Sequence, residues 1–116
     1  MKITVGQDGY VLAKNAVYAK SLFARIRGLI GYNTLAEGEA LVIPSCRQVH
    51  TFFMRFPIDV VFVDRRGRVV GIAENLAPFS ISGYYRKAHL AVELPAGAAA
   101  RVSLSVGALL LLKDGI

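Results

Sequence analysis

The chain has little of what most catalytic and metal sites are built from: one cysteine, two histidines and no tryptophan in 116 residues. A single cysteine excludes an internal disulfide. Acidic residues are scarce too, with eight Asp and Glu against fourteen Lys and Arg. The longest apolar runs, such as "VGALLLL", fall far short of the roughly 20 residues that cross a bilayer, which excludes a transmembrane helix. At the start, "MKITVGQDGY" has no apolar h-region, because Gly6, Gln7, Asp8 and Gly9 interrupt it. A cytoplasmic location is therefore the default, with an extracytoplasmic one only if a leader has been removed. With no low-complexity tract, repeat or linker, residues 1–116 read as one domain.

What the chain does have is apolar, β-branched sequence in short pieces, with hydrophobic residues making up 54% of it. "ITV" is a strand closed by "GQDG", "YVLAKNAVYA" alternates as extended chain does, and "ALVI" is stopped by Pro44, which supplies no ladder donor. "IDVVFV" and "RVVGIA" are joined by "DRRG", a hairpin signal in which Asp64 starts the turn and Gly67 takes the positive φ. "QVHTFFM" reads as a further extended run, "HLAVEL" as a strand ending at Pro95, and "ALLLL" as the last strand, with room for one helical turn in "AGAAARVSLSVG". The one extended helical pattern is "SLFARIRGLIG", where Ser21 caps and Leu22, Phe23, Ile26, Leu29 and Ile30 recur at helical spacing. Seven or eight short strands with one short α-helix near residues 21–28 predict a mostly β, single-domain fold of sandwich or barrel-like type.

A net charge of +6 raises nucleic acid or an anionic membrane as a partner. The cations, however, stand in separate groups along the chain: Arg25 and Arg27, then Arg65, Arg66 and Arg68 around a turn, then Arg86 and Lys87 after a Tyr pair. That dispersal favours a solvated positive surface over nucleic-acid binding, and leaves an unidentified protein or small molecule as the partner.

The rare residues crowd together between Ser45 and Ile72. Asp59 interrupts a strand that is apolar on both faces, and a carboxylate buried there needs a partner. His50, Arg55 or the backbone N–H groups of a neighbouring loop could serve, and the structural reading is that Asp59 ties down the bend at Phe56 and Pro57. Strand alternation would place His50, Phe52 and Met54 on one face. Cys46, His50 and Met54 also form C-x3-H-x3-M, a thiolate, imidazole and thioether set suited to copper. Such a site needs a second histidine upstream, whereas His89 lies downstream, and a regular strand would spread the three ligands over about 26 Å. Cys46 with His50 as base and Asp59 as orienter would make a hydrolase or transferase, but nothing marks an oxyanion hole. His89 alternates with Ala91 and Glu93 on one strand face and is expected to pair with Glu93 at the surface. The glycines lack the context of phosphate loops, so no nucleotide or other cofactor is predicted.

With those residues in view, the chain resembles the uncharacterised family "domain of unknown function 192", a group of small prokaryotic proteins. "RIRGLIG", "CRQVHTFFMRFPIDVVFVDRRGRVV" and "AVELPAGAAARVSLSVGALL" resemble its early, central and closing motifs. The resemblance implies a mostly β sandwich with a short helix and supplies no reaction, cofactor or partner. Arg27, Gly28, Cys46, His50, Thr51, Met54, Asp59 and Gly97 are motif positions without assigned roles, and the chain departs from the family pattern at Ala108, where that pattern reads Gly-Asp. The combined expectation is a non-catalytic ligand-binding or protein-interaction domain. Its candidate ligand-binding residues are Cys46, His50, Thr51, Met54, Asp59 and Arg27. The alternatives are an enzyme using Cys46 or Asp59 and copper-type metal binding through Cys46, His50 and Met54.

Overall fold

Apolar residues two apart in a strand share a face, and in this chain the two faces of the central strands find different cover. The computed structural model describes residues 1–6, 9–19 and 34–113. Its elements are β1 (Lys2–Val5), β2 (Tyr10–Ala13), β3 (Asn15–Tyr18), β4 (Glu39–Pro44), β5 (Ile58–Val63), β6 (Val69–Leu76), β7 (Leu90–Pro95), α1 (Ala98–Arg101) and β8 (Leu110–Lys113). One sheet has the order β2-β1-β8 and the other β3-β4-β7-β5-β6, and neither closes into a barrel. All pairings are antiparallel except β3 with β4. The fold is thus mostly β, with a short helix at α1, the helical turn expected in "AGAAARVSLSVG". The helix expected near residues 21–28 lies outside the described residues.

Between the sheets, Ile3, Leu12 and Leu110 of the small sheet meet Val42, Val61, Val63, Val92 and Leu94 of the large one. The opposite face of the large sheet carries Leu41, Ile43, Ile58, Val60, Phe62 and Ala91, covered by Val49, Met54 and Ala88 from loops and by Ala19 and Leu35. All six residues of β5 are buried, which accounts for a run that is apolar on both faces except at Asp59. "DRRG" forms the expected turn: the Asp64 carboxylate accepts the N–H groups of Arg66 and Arg68, both at 2.9 Å, and Gly67 has φ 84°.

The strand expected over "QVHTFFM" does not form. This run meets residues 79–82 through one isolated bridge, His50 to Ile81, and Phe53 turns the chain at φ 65°. Its β-branched and aromatic composition serves loop packing rather than a ladder, because the Thr51 carbonyl is taken up by the N–H groups of Met54 and Phe79.

Asp59 is 1% exposed and finds its partners among backbone groups. Pairing of β5 with β6 slips between Ile58 and Val60, so that β6 carries one extra residue near Asn75, itself at φ 51°. The Asn75 N–H donates to Asp59 Oδ1 at 2.8 Å. The other oxygen, Oδ2, accepts the N–H groups of Gly97 at 3.1 Å and Ala99 at 3.0 Å, capping α1 from a strand some 40 residues away. Asp59 therefore ties a bulge and a helix start to β5, not the Phe56–Pro57 bend. Asp59→Asn keeps the shape but offers one acceptor oxygen where two are used. It is expected to cost about 2–4 kcal/mol of stability, read as a lower urea midpoint at unchanged slope; an unchanged midpoint would mean the three bonds carry no net stability.

Candidate functional site

The large sheet separates the residues that the sequence crowds together. Asp59 shares the inner face with Val61 and Val63, whereas Cys46 and Met54 pack against the outer face. The Cys46 thiol is partly buried and donates to the Gln48 carbonyl at 3.3 Å, and burial pushes its pKa up. His50 is exposed; its Nδ1 accepts the Phe52 N–H at 3.3 Å, and its ring lies 5.0 Å from that of Phe52. Met54 is buried. No three His, Cys, Asp or Glu side chains gather as a metal would require among the described residues. Arg27 lies outside those residues.

Thr51 is fully buried and joins two loops. Its hydroxyl donates to the Ala77 carbonyl at 2.6 Å and accepts the Ser80 N–H at 2.9 Å, and its own N–H donates to the Ser80 carbonyl at 2.8 Å. Val49 and Ser82 continue this pairing, and the Tyr85 N–H closes it on the Arg47 carbonyl at 2.9 Å. Residues 47–51 and 79–85 thus form a hydrogen-bonded ribbon along the outer face.

Glu93 lies beneath that face, flanked in register by Leu41 and Val60. It is 3% exposed, its Oε1 has no hydrogen-bond partner among the described residues, and desolvation pushes its pKa up to about 7. The expected surface pair with His89 is absent, because loops cover the outer face over Glu93 while His89 stays exposed beyond the start of β7.

A concave surface at one end of the large sheet is set by strand order. β7 lies antiparallel between β4 and β5, so Pro44 and Val63 both stand opposite Leu90. Ser45 N–H donates to the His89 carbonyl and His89 N–H to the Val63 carbonyl, both at 2.7 Å. The three connections leaving this end line a groove of about 660 Å³. Arg47 comes from the first, Arg65 and Arg66 from the second, and Tyr84, Arg86 and Lys87 from the third. One carboxylate, Asp64, lies among them, already committed to its turn. None of the groove cations makes an ion pair among the described residues, whereas Arg101 at the other end of the sheet is paired with Glu37 at 3.0 Å. Sequence reading missed the groove because its cations are far apart along the chain and meet only through sheet order.

Tyr85 anchors the third connection. Its ring stacks on Phe62 at 4.6 Å and fills the space over Gly71, where a Cβ would fall within the ring itself. A glycine inside an apolar strand was the available signal, since it marks close approach by another group.

Two outcomes follow from these groups. Gly71→Ala drives Tyr85 from Phe62 and is expected to cost about 1–3 kcal/mol, with altered near-ultraviolet circular dichroism; a wild-type spectrum and melting temperature would refute the contact. For Glu93, a folded pKa of about 7 against an ordinary value of 4.5 means that the folded state holds its proton more tightly. Stability from this group is fully present below about pH 4.5, is lost as pH rises through 7, and stays low above that, a difference of about 3 kcal/mol. Glu93→Gln should remove that slope, measured as urea midpoints from pH 5 to 8 for both proteins, and identical slopes would show that Glu93 ionises freely.

A curated protein matching the chain is not found. Two solved structures share its fold. A protein of unknown function from Novosphingobium aromaticivorans DSM 12444 is 22% identical, with a TM-score of 0.83 over 97% of this chain and 84% of that one. The second, from Sinorhizobium meliloti 1021 and described as a "putative transcription regulator", is 21% identical, with a TM-score of 0.81 over 95% of this chain and 91% of that one. The family model of DUF192, "Uncharacterized ACR", matches residues 3–112, a span holding both sheets, Asp59, the ribbon and the groove, and the chain belongs to that family.

Proposed function

We propose that this protein is a non-catalytic binding module whose ligand is an anion, held in the groove at the Leu90 end of the large sheet. The observation that carries this reading is the gathering of Arg47, Arg65, Arg66, Arg86 and Lys87 around one concavity in which a single carboxylate among the described residues, Asp64, is outnumbered by them and makes no ion pair with them. Cations held together in a cleft raise the local potential and concentrate anions there, and a solvated surface gains nothing from such clustering. The non-catalytic part is supported by the state of the candidate nucleophiles. Burial holds the Cys46 thiol in its protonated form, and Asp59 accepts three hydrogen bonds from backbone groups that shape the fold.

The groove lies beside the ribbon that carries His50 and Thr51 and that Cys46 precedes, so part of the predicted candidate set flanks it without lining it. Binding to a simple polyanion tests the reading. Wild-type protein is expected to be retained on immobilised heparin at low salt, and the double reversal Arg47→Glu with Arg86→Glu should weaken binding on the order of tenfold or more at unchanged melting temperature. Retention that the double reversal leaves intact would place the anion site elsewhere.

A further inference from the structure

The aromatic surface continues where the cations end. The ribbon of residues 47–51 and 79–85 runs from the basic wall at Arg47 and Tyr84 to a tip at Phe53 and Phe79. The exposed side chains along it are rich in rings. Tyr84, in the groove itself, is 60% exposed, and beyond it the His50 and Phe52 rings lie together. At the tip Phe53 and Phe79, 71% and 61% exposed, meet edge to face at 5.6 Å. Both of these phenylalanines sit in left-handed backbone, at φ 65° and 58°, a conformation uncommon for bulky residues. The Thr51 hydrogen bonds hold the loops that present them, so the rings stand in solvent on a fixed frame.

We infer that the groove and its aromatic ribbon bind single-stranded nucleic acid, with phosphates along Arg47, Arg65, Arg66, Arg86 and Lys87 and bases on Tyr84 and the Phe53–Phe79 tip. This rests on the anion-binding reading of the groove and names its ligand. Unpaired cations beside exposed ring faces are the two components of single-strand binding, one tracking the backbone and the other stacking unpaired bases. A duplex hides its bases from ring faces. A lipid headgroup offers charge to the groove but no planar base to the rings along the ribbon. An acidic peptide offers planes to stack only where it carries an aromatic residue, whereas every nucleotide joins a base to its phosphate.

Fluorescence anisotropy with a labelled thymidine strand of about 12 nucleotides tests the inference. With five phosphates neutralised, the logarithm of the association constant should fall with the logarithm of salt at a slope of about −3.5. An abasic strand with the same number of phosphates should bind about fivefold or more weakly, the loss expected from one stacked base. Tyr84→Ala and Phe53→Asn should weaken the base-bearing strand and leave the abasic one unchanged. Both positions are exposed and asparagine tolerates the left-handed backbone, so melting curves should match wild type. Equal binding of thymidine strand, abasic strand and heparin, insensitive to both variants, overturns the nucleic-acid inference and leaves the anion-binding groove standing. Tighter binding to phosphatidylserine vesicles than to the strand also overturns it, in favour of a membrane surface. If heparin and the strand both fail to bind, the reading of the groove falls as well.

Discussion

The arrangement of the molecule depends on one strand running against both of its neighbours. β7 is hydrogen-bonded to β4 on one side and β5 on the other, antiparallel to each, and this sends the ends of three strands to the same edge. At the Leu90 end the connections after β4, after β5 and before β7 are forced together, and the basic groove is what they enclose. At the Pro95 end the chain turns into α1, whose first N–H groups come within reach of β5. Since the central strands are apolar on both faces, each face needs a cover: the small sheet supplies one, and the loop ribbon contributes to the other.

Two buried acids show how the same residue chemistry has opposite consequences inside such a sheet. Asp59 stands opposite Leu94 and Glu93 opposite Val60, so the two are near neighbours on opposite faces. Asp59 meets backbone donors that the bulge and the helix start leave without ladder partners, and each side satisfies the other. Glu93 meets methyl groups, and it is its proton that relieves the cost of burial.

The strands were legible because their signals are local. Pro44 and Pro95 end strands at the expected places, and Asp64 with Gly67 makes the hairpin the residues demand. "QVHTFFM" does not form the expected strand because β-branched and aromatic residues fit a packed loop as well as a ladder, and the bonds of the Thr51 carbonyl and hydroxyl decide between them. Asp59 was recognised as the polar residue that needed an explanation, while its partners were beyond reach, being backbone groups with no identity in sequence. Glu93 looked exposed because it alternates with Leu90, Val92 and Leu94 as an outward residue would. Its burial depends on loops remote in the chain, and so does the assembly of cations from three separate segments.

The groove also separates surface charge from folding. The backbone of its walls is bonded through Ser45, Asp64, Tyr85 and His89, while nearly all of its guanidinium and ammonium groups are free of structural duty. Charge on this surface can therefore be rewritten residue by residue with little consequence for the sheet beneath it. Substitutions at this edge can change its potential while the sheet order that encloses the groove stays as it is.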